Sequence, residues 1–146
     1  MVEKTKSRQL NQFTGNSALN YAAWQLSRRG WHVMPTIRNA RGSDLIVTNA
    51  DETKIFGVQS KGLSRQYPVP LGLSLESLRS HWWVITINVN SDSPTCYVLK
   101  LEEICDLAVQ DKTGKNGRKW WLAPKDYVRD EFREAWKRLE LPVLAP

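Results

Sequence analysis

Histidine and cysteine are scarce: His32, His81, Cys96 and Cys105 are the whole supply in 146 residues. Neither cysteine belongs to a CxxC pair or a cysteine–histidine cluster, which argues against a zinc ribbon and a disulfide scaffold. Two free thiols suit a reducing cytoplasm. The histidines are isolated, with no metal-ligand spacing between them. No stretch approaches the roughly 18 apolar residues that cross a bilayer. The polar start from Met1 to Lys6 carries no hydrophobic core of the secretory kind. A soluble cytoplasmic protein without a membrane partner is expected. P-loop and GxGxxG patterns are missing, and neither Ser43 nor Ser60 has a histidine at a suggestive spacing, so serine hydrolysis has no support.

Acidic residues are sparse in one half only. Residues 1–70 carry 10 Lys/Arg against 4 Asp/Glu, whereas residues 71–146 carry 11 of each, so the net charge of +6 belongs wholly to the N-terminal half. A polyanion would meet that half first.

Residues 1–12 hold Lys4, Lys6 and Arg8 without apolar periodicity and read as a flexible basic arm. Residues 13–146 read as one domain. Helical spacing starts after Asn16, with Leu19, Ala22, Ala23 and Leu26 on one face and a stop at Gly30. Strands are expected from Trp31 to Met34, ended by Pro35, then from Asp44 to Thr48 and from Ile55 to Lys61. A short helix should follow through Leu75 and Leu78. The nearly continuous apolar run from Trp82 to Val89 reads as a central strand, paired with Thr95 to Leu99 across a turn. Further on, the pattern predicts a helix from Glu102 to Val109, a strand over Trp120 to Leu122 and a helix from Asp130 to Leu139. Of the seven tryptophans, Trp24, Trp83 and Trp136 fit apolar patterns and read as core. The order of elements predicts an α/β fold, a mixed β-sheet flanked by helices with an α-β-β-β-α-β core and C-terminal strand and helix additions.

The second and third strands are symmetric about their turn. Asp44 lies seven residues before Asp51, and Gln59 seven after Glu52, so a tight hairpin sets Asp44 beside Gln59. Gln59 and Lys61 share a strand face because side chains alternate. An acid, an amide oxygen and an amine thereby converge. Phosphodiester hydrolysis uses such a set: oxygen ligands for a hard cation at the scissile phosphate, and a cation to stabilise charge or assist the attacking water. Asp44 and Gln59 would be ligands with the backbone carbonyl of Ser60, and Lys61 the catalytic amine. The oxygen donors suit Mg²⁺ or Mn²⁺.

At these residues the chain resembles the PD-(D/E)XK nucleases of the restriction-endonuclease-like fold. Gly42-Ser43-Asp44-Leu45-Ile46-Val47 is similar to the segment carrying the first acid. Val58-Gln59-Ser60-Lys61-Gly62 is similar to the (E/Q)xK strand in the glutamine variant of Mrr-like enzymes. The helix from Asn16 to Arg29 with Gly30-Trp31 resembles the opening helix of Mrr-like proteins and archaeal Holliday-junction resolvases. The resemblance spans roughly residues 15–90. It implies a metal-dependent DNA endonuclease that assembles as a homodimer or higher homo-oligomer, with residues 13–146 as the nuclease-like domain.

Two departures follow. Gln59 replaces the commoner acid, and no Asp or Glu occurs between Asn16 and Trp31, where the family's helix often supplies a glutamate. Asn16 or Asn20 would be the substitutes. These departures support a second reading, a nuclease-like domain that binds nucleic acid or a protein without cutting. Arg38, Arg41 and Arg65 flank the site in sequence and are candidate phosphate contacts. Lys112, Lys115, Arg118 and Lys119 read as a solvated basic loop.

Overall fold

The computed structural model describes residues 2–37, 42–114 and 117–140. Arg38 and Arg41 lie outside the described residues, as does Lys115.

One long helix dominates the N-terminal part. α1 runs Val2–Ser27, so the stretch expected as an arm is helical from Val2 onward. Residues 2–14 contain no glycine or proline and several good helix formers, so the backbone continues the helix although every side chain from 2 to 13 is exposed. Ala18, Ala22, Gln25 and Leu26 are buried, while Leu19 and Ala23 are half-buried. Trp24 is exposed, contrary to its expected core position, because at about 100° per residue it points away from Ala22 and Leu26. Gly30 (φ 93°) stops α1 in a left-handed cap: its N–H donates to the Ser27 carbonyl at 3.0 Å and that of Trp31 to Leu26 at 3.2 Å.

The main sheet has five strands: β1 (His32–Pro35), β2 (Leu45–Thr48), β3 (Ile55–Gly62), β5 (Trp82–Ile87) and β6 (Thr95–Lys100), in the order β1-β2-β3-β5-β6. β3 and β5 are parallel and the other neighbours antiparallel. A second, antiparallel sheet holds β4 (Val69–Gly72), β8 (Trp120–Leu122) and β7 (Val109–Gln110) in that order. β4 lies at an edge, where Pro70 removes no central ladder bond. The short helices α2 (Leu101–Leu107) and α3 (Pro124–Tyr127) complete the layers. The helix expected to Val109 ends at Leu107 and its last residue joins β7. The segment through Leu75 and Leu78 is a single 3-10 turn, Leu75–Ser77.

The periodicity over residues 130–139 misleads. That stretch lies along β6 instead of forming an α-helix: Val98 donates to the Phe132 carbonyl at 2.9 Å and Glu134 N–H to Cys96 at 2.8 Å, and a 3-10 turn, Trp136–Glu140, follows. β6 is the sheet's edge, and its free backbone groups outcompete a local helix for these partners.

Two apolar clusters fill the faces of the main sheet. Ala22 and Leu26 of α1 pack on Leu45, Val47, Val58 and Val84. On the other face Trp83, Ile85 and Ile87 meet Val69 and Leu71 of β4, Ile104 of α2 and Tyr127 of α3.

Candidate active site

β2 is half the length of β3, and the difference creates the site. The β2–β3 register pairs Leu45 with Val58 and goes no further, while β3 continues beside β5 through Gly62. Gln59 to Gly62 therefore have a neighbour strand on one side only. Asp44, just before β2, occupies the start of the gap. Its carboxylate Oδ2 accepts the Ser60 N–H at 2.8 Å, where a longer β2 would have offered a carbonyl, and accepts Gln59 Nε2 at 2.7 Å.

The Asp44 main chain is pinned on both sides. Its N–H donates to the Val58 carbonyl at 2.9 Å, and its carbonyl accepts the Thr36 N–H at 2.9 Å and the Thr36 hydroxyl at 3.2 Å. The same hydroxyl donates to Ser43 at 2.8 Å. Ser43 Oγ lies 2.6 Å from Ser80 Oγ, linking this loop to the approach to β5. Gly57 makes that link possible, since a Cβ there would run into the Ser43 hydroxyl and come within 2.9 Å of Ser43 Cβ.

Alternation divides β3 cleanly. Val58, Ser60 and Gly62 face α1, and a Cβ on Gly62 would stand 2.5 Å from Ala18 Cβ, so the helix crosses in close contact there. Gln59 and Lys61 face the opposite side. Lys61 is half-buried, with Nζ 5.8 Å from the centre of the buried Trp83 ring, inside cation–π range. Burial pushes the Lys61 pKa down from the ordinary 10.5, against the opposing pull of the Asp44 charge. Among the described residues Lys61 forms no salt bridge.

The expected trio is thus brought together. Asn16 and Asn20 are exposed on α1, which covers the other face of β3, and neither hydrogen-bonds to the trio. Arg65 is exposed in the turn after β3. Thr36, Ser43, Ser80 and Trp83 were not legible as site residues. Only Gly57, a glycine inside a strand, carried a signal of close approach in the sequence.

The donors suit a hard cation held loosely. Oδ1 of Asp44 takes no hydrogen bond among the described residues, and a half-turn of the Gln59 amide would present its oxygen. The Ser60 carbonyl lies on the same open strand edge as its N–H. No group of three or more His, Cys, Asp and Glu side chains is placed to hold a metal among the described residues. One carboxylate with neutral oxygens would supply only part of the shell of a Mg²⁺ or Mn²⁺ ion.

The helix across one face of a five-stranded mixed sheet is the architecture of the restriction-endonuclease-like fold. No family model matches the chain, and no curated protein matches it. Among solved structures it is similar to the bacterial homing endonuclease I-Ssp6803I, at 19% identity and a TM-score of 0.57 over 88% of this chain and 91% of that one. It is also similar to Hjc, a Holliday junction resolvase from the archaeal hyperthermophile Archaeoglobus fulgidus, at 9% identity and a TM-score of 0.50 over 74% of this chain and 89% of that one.

Proposed function

We propose that the chain is a divalent-metal-dependent endonuclease that hydrolyses DNA phosphodiesters. The observation that carries this is the trio itself: Asp44 holds Gln59 at 2.7 Å, and Lys61, on the same strand face, keeps a half-buried charge without a salt bridge. Burying a cation is costly; the Asp44 charge offsets part of that cost at Lys61, and a phosphate beside it would offset more. Asp44 and the oxygens of Gln59 and Ser60 would hold Mg²⁺ or Mn²⁺. Once bound, the ion supplies Lewis acidity at the phosphate and a more acidic water. Lys61 then orients the attacking water or stabilises the developing phosphate charge. The basic N-terminal half and the two DNA-enzyme structures of like fold support DNA as substrate. Arg65, with Arg38 and Arg41, would contact the backbone without reading bases. Both cysteines are free, which suits the reducing cytoplasm.

The absence of any Asp or Glu between Asn16 and Trp31 favours a second reading, nucleic-acid binding without cutting. Cleavage assays on linear, branched and single-stranded DNA with Mg²⁺ or Mn²⁺ separate the two. Metal-dependent cutting that falls at least ~100-fold in Asp44→Asn and Lys61→Ala is expected. Salt-sensitive binding with no cutting under any metal would replace the nuclease reading with the second.

A further inference from the structure

α1 runs antiparallel to β3. Trp31, after the helix cap, packs edge-on against Phe56 near the start of β3 with ring centres 5.1 Å apart, whereas a Cβ on Gly62 at the end of β3 would stand 2.9 Å from the Thr14 carbonyl. The stretch of α1 before Thr14 therefore projects past the C-terminal end of β3, for ~18 Å at about 1.5 Å per residue. Asp44 precedes β2, which is antiparallel to β3, and Lys61 is next to the last residue of β3. The overhang and the candidate site thus share one end of the sheet.

The row that α1 turns to the sheet changes character where the sheet stops. At about 100° per residue Lys4, Arg8 and Asn11 fall within about 80° of arc with Ala18, Ala22 and Leu26. They continue the buried row, yet all three are exposed. An apolar continuation would ask for a protein cover, whereas a basic one asks for an anion. Residues 2–13 carry Lys4, Lys6 and Arg8 against Glu3 alone, and among the described residues none of the three cations forms a salt bridge. Along the flank of the row a groove of about 410 Å³ separates the overhang from the loops after β3 and β5. Lys6, Ser7, Asn11 and Thr14 line it from the helix, Ser64 and Asn90 from the loops, and Glu3 is its one acid. Hydroxyls, amides and a lysine are donors that suit phosphate oxygens and read no base. Arg65 follows Ser64 and adds a further cation beside the groove.

We propose that the α1 overhang is an arm for the DNA backbone: a duplex seated at the candidate site continues along Lys4, Arg8 and the groove for about five base pairs, at about 3.4 Å each. The overhang lies on one face of the sheet and Lys61 on the other, an offset of about one helix diameter, ~10 Å. The two backbones that border a B-DNA major groove are about 12 Å apart, so one lies at Lys61 and the other along the overhang. A helical stretch as solvated as residues 2–13 is marginal in water by itself, and the duplex supplies its cover. The proposal rests on DNA as the substrate but not on cutting.

Fluorescence anisotropy with a fluorescein-labelled DNA duplex over a salt series tests it, without divalent metal so that nothing is cut. The Lys4→Ala, Arg8→Ala double variant is expected to bind at least ~10-fold more weakly at low salt and to reduce the slope of log affinity against log salt by about two. Alanine preserves the helix. The Lys112→Ala, Lys119→Ala double variant removes the same charge from the loop after β7 and should leave the slope unchanged. In the parent, amide hydrogen exchange over residues 2–13 should slow when the duplex is added. A parent that binds while the first variant keeps its slope would overturn the arm and leave DNA as the substrate. Equal losses in the two double variants would also overturn it, since net charge alone would explain both. A parent that binds no duplex at low salt would overturn the DNA reading together with the arm. Should the first variant fail to fold, exchange in the parent decides alone, and rates over residues 2–13 indifferent to bound duplex refute the proposal.

Discussion

Gln59 donates its amide hydrogen to Asp44 across the open end of β3, at 2.7 Å, so the position that carries an acid in related patterns here neutralises part of its neighbour's hydrogen-bonding need. In Gln59→Glu that donor is lost and a second carboxylate faces the first. Without metal the variant is expected to lose about 1–3 kcal/mol of stability. Mg²⁺ or Mn²⁺ should recover that loss and shift the melting temperature more than in the parent. Thermal melts with and without the ion check this, and an unaltered metal-free melting temperature would contradict the geometry.

Lys61 should make stability depend on pH in a definite direction. Its folded pKa is lowered from 10.5 mainly by burial. Below the folded value the side chain is charged in both states and the desolvation cost is fully present. Between the folded value and 10.5 the unfolded chain binds more protons, so stability rises with pH until the cost is gone. Lys61→Met is therefore expected to be more stable than the parent at neutral pH, with the advantage shrinking as pH approaches 10.5. Urea unfolding across this range measures it; a less stable variant at neutral pH would reverse the sign and reject the account.

Gly57→Ala tests the support under Asp44. The new Cβ must displace Ser43, and with it the 2.6 Å contact to Ser80. A loss of about 1–3 kcal/mol is expected, together with reduced cleavage, because Ser43 immediately precedes Asp44. Combining it with Ser43→Gly removes the collision, so the double variant should lose less stability than the sum of the single changes. Strict additivity in denaturation would place the cause elsewhere.

Arg65→Ala is expected to weaken DNA binding evenly across sequences and to reduce the slope of log affinity against log salt by about one. Fluorescence anisotropy over a salt series reads both. An unchanged slope would remove Arg65 from the phosphate contacts.

How much of this was legible in the residues differs by element. The Asp44–Gln59 meeting followed from counting outward from Asp51 and Glu52, because a hairpin's turn fixes its register: the ladder ends at Leu45 with Val58, and the side chains of the next residue on each strand, Asp44 and Gln59, meet by a hydrogen bond. Strand alternation likewise put Gln59 and Lys61 on one face. Trp24 and residues 130–139 failed for a common reason. Periodicity reports that a segment has an apolar side, and it does not report which neighbour will cover that side or whether an edge strand will claim the backbone first. The α1 overhang failed differently, since an exposed helix has no buried face to leave a pattern.

The local chemistry of this protein, a basic N-terminal half, a capped helix and a hairpin that aligns one acid with an amide and an amine, was decided by residue order alone, because turns, caps and alternation act over a few residues. The third dimension decided the rest. Thr36, Ser43 and Ser80 hold Asp44 in place, α1 covers the far side of β3, and Trp83 lies beneath Lys61. Those relationships join residues distant in the chain, and only the packing of the sheet against its helices brings them within reach of one another.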